Sequence, residues 1–485
     1  MGVEVAQPLR LKREAGRPVP LDKSAKPKRR VSTNALLGMG LWVLLWLGYN
    51  TGPGYLMDPN FPANATALIH GLRAFTPMLA AWIACAMILV RSTRLYFWII
   101  GPLGLILLYS VTGLVSSATV SPDPLSGLYY GANYLAIDLV LLAIVLVEDP
   151  LADLLKVLRL TWIWGTLITL SLLGAIPFLG SQVITETDIS PVGVRVYDRV
   201  VDIMGMAGSR NTGFARYAGI SALVALPGVL RKGNLFVRFI WGTLFTISMY
   251  ALIIANGRTE TVAFVGSVVV ILVAERTKRT VNILVATAGA LLLGFRGFYS
   301  AFFLYITRTG HVDLTMTGRT LTWEEGLQVL WKSPWVGFGF QSDRYFLKQH
   351  MHNAFLHVFF QSGFLGGGAI LLALAIVWYF LIKYFLLEQP ADKSLIPPEI
   401  PAVFLFVTIS SVMESTFAYF SAAWLLSAPI VAYVVALHRH LRRARAKAAR
   451  ERLLRWRLAK SGLQAAEPGK GTEPSPAPAA GGSEH

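Results

Sequence analysis

The side chains best placed to do chemistry in this 485-residue chain are arginines and a histidine at the edges of apolar runs. "GSRNTGFARYAG" carries Arg210 and Arg216, "ANGRTE" carries Arg258 and Glu260, "TGRT" carries Arg319, and "HMHNAF" carries His352 followed by Asn353. A guanidinium is always charged and offers a planar fork of donors, which suits the oxygens of a diphosphate. An imidazole is the side chain best able to take and release a proton near neutral pH. Arginines gathered at one membrane face, with a histidine among them, point to an anionic headgroup as ligand. Plainer roles compete for each residue. Arg258 would serve as an interfacial anchor, Arg319 as an ordinary loop charge, and His352 as a solvated histidine like His350 or His311. His357 is the rival base, deeper in the same helix; His352 is preferred because it abuts Asn353 at the membrane mouth.

The elements that must position these residues are membrane helices. Of all residues 54% are apolar and only 15% charged, a balance that buries apolar surface in lipid. Apolar runs fall near 34–50, 70–90, 95–117, 128–147, 160–180, 213–230, 235–255, 260–275, 281–298, 353–382, 400–418 and 421–438. Each is long enough to cross ~30 Å of hydrocarbon, so the expectation is an all-α polytopic membrane protein with about twelve spanning helices. Arg91 with Arg94, Lys156 with Arg159, Arg231 with Lys232, and Arg276 with Lys278 and Arg279 occupy alternate connections, which places those connections and both termini in the cytoplasm. The segments read as a basic cytoplasmic tail (1–33), a transmembrane catalytic domain (34–438) and a basic, then disordered, cytoplasmic tail (439–485). The net charge of +17 is concentrated in two blocks, Arg10–Arg30 and Arg439–Lys460. Flanking apolar runs as they do, these blocks suit anionic membrane lipids and not nucleic acid. The basic stretch before the first run reads as a cytoplasmic tail, not a cleaved signal. Cys85 is the single cysteine, which excludes an intrachain disulfide and a paired-cysteine metal site.

Two outer loops are long, 181–212 and 299–352, and long outer loops are where an extracytoplasmic site would be built. In the second, Trp323, Leu327, Leu330 and Trp331 recur at helical spacing, which predicts a short amphipathic helix at the membrane interface. Pro334 stops it, and "GFGF" reads as a flexible turn. "GFLGG" reads as close helix packing and not as a phosphate loop. No compact Asp/Glu/His set with divalent-metal spacing is visible on the outer face, so no metal site is expected. Asp138 and Glu414 fall inside predicted spans, where they would either pair with a buried arginine or mark a substrate path.

In order and spacing, "NGRT", "TGRTLTW…SPWVGFGF" and "HMHNAFLHVFFQSGFLGG" resemble the O-antigen ligase and O-antigen polymerase family of bacterial membrane glycosyltransferases. The resemblance covers residues 205–370 at motif level. It implies a GT-C-like helical fold in the inner membrane, a long periplasmic loop with short amphipathic helices, and an active site on the periplasmic side. It further implies a metal-independent, inverting transfer of glycan from undecaprenyl diphosphate to a hydroxyl of a glycan or lipid A-core acceptor, with no cofactor and with polysaccharide-export proteins as partners. Arg258 and Arg319 would then hold the diphosphate, His352 would take the acceptor proton, and Arg210, Arg216, Asn353 and Glu260 would line the pocket. The repeated Arg-to-Gly spacing of some polymerases is absent from both long loops, so polymerase, ligase and protein glycosylation stay open. A transporter of a lipid-linked saccharide is the alternative; it predicts an internal repeat and a midplane site, whereas these charges gather at one face.

Overall fold

The computed structural model describes residues 33–49, 51–52, 65–91, 95–147, 150–179, 184–189, 195–200, 209–231, 233–255, 257–275, 319–388 and 392–460. The span predicted at 281–298, residues 299–318 of the second long loop, and the tails 1–32 and 461–485 lie outside the described residues. The helices are α1 (Thr33–Leu47), α2 (Ala65–Val90), α3 (Leu95–Ile99), α4 (Pro102–Thr119), α5 (Pro124–Val145), α6 (Pro150–Leu179), α7 (Asn211–Leu230), α8 (Leu235–Ile254), α9 (Arg258–Glu275), α10 (Arg319–Leu330), α11 (Asp343–Phe346), α12 (Ala354–Ile382), α13 (Glu399–Ser410) and α14 (Ala422–Lys460). Among the described residues eight helices are long and apolar enough to cross a membrane: α2, α4, α5, α6, α7, α8, α12 and α14. Two more, α1 and α13, are apolar but shorter. The protein is a multi-pass membrane protein built of helices.

Three local departures from expectation have physical causes. The span predicted at 95–117 is two helices, because Gly101 adopts φ 148° and Pro102, lacking an N–H, starts a new helix at α4. The second departure is a small sheet attached to the otherwise all-helical fold. Residues 181–212 hold an antiparallel sheet of β1 (Ile184–Ile189), β2 (Arg195–Val200) and β3 (Ser209–Arg210), in that spatial order, with Arg199 opposite Arg210. "ITETDI" and "RVYDRV" are rich in β-branched and aromatic residues (Ile, Thr, Val, Tyr), which favour extended strands. Third, helix α13 ends at Ser410, so Glu414 sits in the connection 411–421 and not inside a span.

The "GFGF" segment is not a flexible turn. Helix α12 is broken at Ser362 (φ −133°) and Gly363 (φ 59°), which frees backbone groups on either side of the break. The preceding segment fills the gap. Phe338 N–H donates to Phe360 O (2.9 Å) and Gly339 N–H to Gln361 O (2.8 Å), while Phe364 N–H donates to Pro334 O (2.7 Å) and Leu365 N–H to Trp335 O (3.2 Å). Glycine is required here: Gly337 has φ 70°, and a Cβ on it would lie 2.6 Å from Gly363 N. At Gly363 a Cβ would run into the Trp335 carbonyl carbon. Further along, "GFLGG" does serve packing, because Gly366 lies directly against Thr112 of α4.

Helix α10 forms where predicted, with a different inner face. Thr322, Gly326 and Leu330 are buried, whereas Leu327 and Trp331 are exposed. Gly326 leaves room for Met351, and Trp323 Nε1 donates to Met351 O (2.8 Å), so the helix clamps the residue next to His352. The exposed Leu321, Leu327, Trp331 and Trp335 form an apolar outer surface that suits the membrane interface.

The core is aromatic where it supports the 411–421 connection. Tyr134 stacks on Trp424 (6.2 Å between centroids) and donates to Phe417 O (2.9 Å), and Tyr109 donates to Ala418 O (2.6 Å). Helix α14 is one continuous element of 39 residues, buried in its first half and exposed from Arg442 to Arg457.

Candidate active site

Helices α7, α9 and α12 begin, and α13 ends, at the same end of the bundle, and Glu414 is the hub of the charges gathered there. Its Oε2 lies 3.6 Å from a terminal nitrogen of Arg216 and 3.4 Å from His352 Nδ1, and its Oε1 lies 3.8 Å from Arg319. Arg216 also faces Glu260, with Nε 3.5 Å from Oε1, and donates to Thr212 O (3.1 Å) one turn back in α7. Arg319 donates to Met413 O (2.8 Å). Burial raises the pKa of Glu414, but His352, Arg216 and Arg319 outweigh it and bring the carboxyl down to about 2. The group is therefore an anion throughout the physiological range.

Exposure separates the members by task. Arg319 and His352 are about a quarter exposed (27% and 26%), whereas Arg216 is 12% exposed and Glu260 is buried. A ligand entering from outside meets Arg319 and His352, with Arg216 and Glu260 behind them. His352 has φ 48°, a left-handed conformation that histidine tolerates better than most residues and that surrounding contacts must hold. With Nδ1 toward Glu414, the Nε2 edge is left to face a ligand.

A second cluster supplies the hold. Asp343, at the start of α11, is fully buried; its Oδ2 accepts from Met351 N–H (3.1 Å) and pairs with His350 Nδ1 (2.8 Å), and its Oδ1 lies 3.4 Å from His357 Nε2. Gln361 joins through its amide nitrogen, 2.9 Å from His357 Nε2, and accepts from the Tyr109 hydroxyl. Burial alone would raise Asp343, yet His357 and His350 carry it well below the usual carboxylate range; burial in turn lowers His350 to about 4. The His350 ring touches both neighbours, 4.9 Å from His352 and 5.0 Å from His357. The expectation that no compact Asp/Glu/His set exists is corrected here. One donor atom from each of Asp343, His350 and His357 lies within 4.8 Å of the others, a set able to hold a metal ion. The set escapes sequence inspection because its members come from a turn, a loop and a helix.

Of the residues singled out from sequence, Arg216, Glu260, Arg319 and His352 are brought together. Arg258 is half-buried and opens α9, two residues before Glu260. Asn353 caps α12, its side chain accepting from Leu356 N–H (3.0 Å). Arg210 ends β3, immediately before α7. Glu414 is indeed a partner for buried arginines; Asp138 instead receives the Ser110 hydroxyl deep in α5. Asp343 was missed altogether, since one acid in a loop gives no signal by itself.

Residues 243–371 match the family model described as O-antigen ligase. Over about a quarter of its length the chain is similar to the O-antigen ligase family. The match runs from α8 into α12 and takes in Arg258, Glu260, Arg319, Asp343, His350, His352 and His357; Arg216 and Glu414 lie outside it. No curated protein matches the chain significantly. A match to the O-antigen ligase family within a multi-pass membrane protein fits a role in cell-surface polysaccharide biosynthesis and, in general terms, glycosyl transfer.

Proposed function

We propose that this protein is an inner-membrane glycosyltransferase with both termini cytoplasmic and its site on the periplasmic face. It transfers a glycan from undecaprenyl diphosphate to a hydroxyl of a glycan or lipid A-core acceptor, with inversion. The observation that carries the proposal is the Glu414 carboxylate bridging His352 and Arg319 at 3.4 and 3.8 Å. Glu414 orients the imidazole and offsets the charge it gains; His352 Nε2 takes the acceptor proton as the hydroxyl oxygen attacks the anomeric carbon. The bond from that carbon to the diphosphate oxygen breaks, and Arg319, with Arg258 as a second cation, stabilises the departing anion. Arg216 and Glu260 keep the pocket in register from behind. A diphosphate is already a good leaving group, so positioning and fixed charge are the main demands on the protein.

The test is transfer by the purified protein in nanodiscs, given a lipid-diphosphate-linked oligosaccharide and followed by mass spectrometry with and without chelator. Ladders of repeat units identify a polymerase; product on lipid A-core or peptide identifies a ligase or protein glycosylator. Intact donor with every acceptor, combined with movement of donor across a vesicle membrane, would replace the enzyme with a transporter. Activity is expected to survive chelation. Loss restored by one divalent ion would instead move Asp343, His350 and His357 into the reaction machinery.

A further inference from the structure

The opposite end of the bundle holds a large cavity that the proposed reaction does not use. Its volume is about 1070 Å³, and its walls come from the start of α6, the end of α7, the start of α8 and the segment leading into α13. Along α6 the apolar lining runs from Leu155 to Leu170, a length of about 22 Å at 1.5 Å per residue. One leaflet's hydrocarbon is ~15 Å deep, half of the ~30 Å core. The cavity is therefore deep enough for acyl chain and too apolar to be a water channel.

Charge decides what fills it. Arg159, Arg231 and Arg238, from three different elements, line the cavity, and all three are exposed. Glu399 is the one carboxylate among the described lining residues; it pairs with Arg231 at 3.6 Å. Arg238 donates to Val229 O (3.1 Å), which draws its guanidinium back over the end of α7. Apolar depth beneath a net positive rim is complementary to one kind of molecule, a phospholipid with an anionic headgroup.

We infer that this cavity is a binding site for an anionic phospholipid of the leaflet opposite the active site, with its headgroup among Arg159, Arg231 and Arg238. The inference stands independently of the reaction proposed above. The lipid fills space between α6, α7 and α8 and, through α7, supports the helix that presents Arg216 at its other end.

Native mass spectrometry of the delipidated full-length protein tests this. Phosphatidylglycerol and phosphatidylcholine with the same acyl chains are titrated separately, with undecaprenyl phosphate and inorganic phosphate as competitors. The expected result is about a tenfold preference for phosphatidylglycerol, equivalent to about 1.4 kcal/mol. Arg159→Gln/Arg238→Gln should abolish that preference, and Leu167→Trp, which fills the apolar part, should reduce retention of both phospholipids. Both variants should keep the wild-type melting temperature in detergent. Equal retention of the two phospholipids by wild type overturns the inference, as does a preference that survives both variants. Displacement by inorganic phosphate alone, or stronger retention of undecaprenyl phosphate, overturns it too, because the ligand would then be a free anion or the polyprenyl lipid.

Discussion

Two carboxylate–imidazole clusters lie side by side at one end of this protein, joined through the His350 ring, and they have opposite surroundings. Around Glu414 stand two arginines, and the cluster is open at Arg319 and His352. Asp343 is paired with His350 and His357, Gln361 stands behind His357, no arginine pairs with Asp343 among the described residues, and the carboxylate is sealed from solvent. Sequence distance gives no hint of this division, since His350 and His352 are two residues apart and serve different carboxylates. The contrast teaches that charge and access, more than residue type, separate a group that meets a ligand from one that fixes a loop.

Substitutions can break that contrast, beginning with the most severe. His352→Ala should lower transfer by about a thousandfold, within the range for losing a positioned acid–base group, while shifting the melting temperature little. A large loss of stability would mean that His352 belongs with the structural cluster. Arg319→Ala should cost about a hundredfold in kcat, as removal of one fixed donor to a developing anion does. An effect confined to KM would assign Arg319 to ground-state binding. Asp343→Asn should act in the other sense, destabilising the protein by about 1–3 kcal/mol through an imperfectly matched buried acceptor. Transfer per folded molecule should fall only about tenfold; a loss as deep as that of His352→Ala would make the two clusters one functional unit.

The smallest effect is on pH dependence. His350 is held at about 4 against 6.5, so its neutral form stabilises the fold above pH 6.5, and that contribution is lost as pH falls toward 4. Glu414 is held at about 2 against 4.5, so its contribution is present above pH 4.5 and is lost between 4.5 and 2. Melting curves of wild type should therefore decline first between pH 6.5 and 4. His350→Gln should lack that early decline and keep the later one; identical curves would remove His350 from the account.

Much of this was legible in the sequence. Apolar run length located the helices, because a membrane span imposes a length that composition reveals directly. Arg216, Glu260, Arg319 and His352 were legible too, since polar residues at helix mouths are few in such a chain. Glu414 stood out as an acid in an apolar context, but its place outside α13 was hidden, because Phe417, Ala418 and Phe420 make that connection as apolar as the helix before it. Asp343, the strands of 181–212 and the rigidity of "GFGF" were lost for a common reason. Each depends on what a segment meets in three dimensions, and a turn glycine looks alike whether it swings free or locks into a broken helix.

The break in α12 also bears on how the protein is made. A helix entering hydrocarbon must satisfy its own backbone groups, and each left bare costs several kcal/mol. The carbonyls of Phe360 and Gln361 and the N–H groups of Phe364 and Leu365 find partners in residues 334–339. Insertion that leaves no backbone group bare therefore requires either an unbroken α12 or a docked 334–339 segment wherever the break meets hydrocarbon.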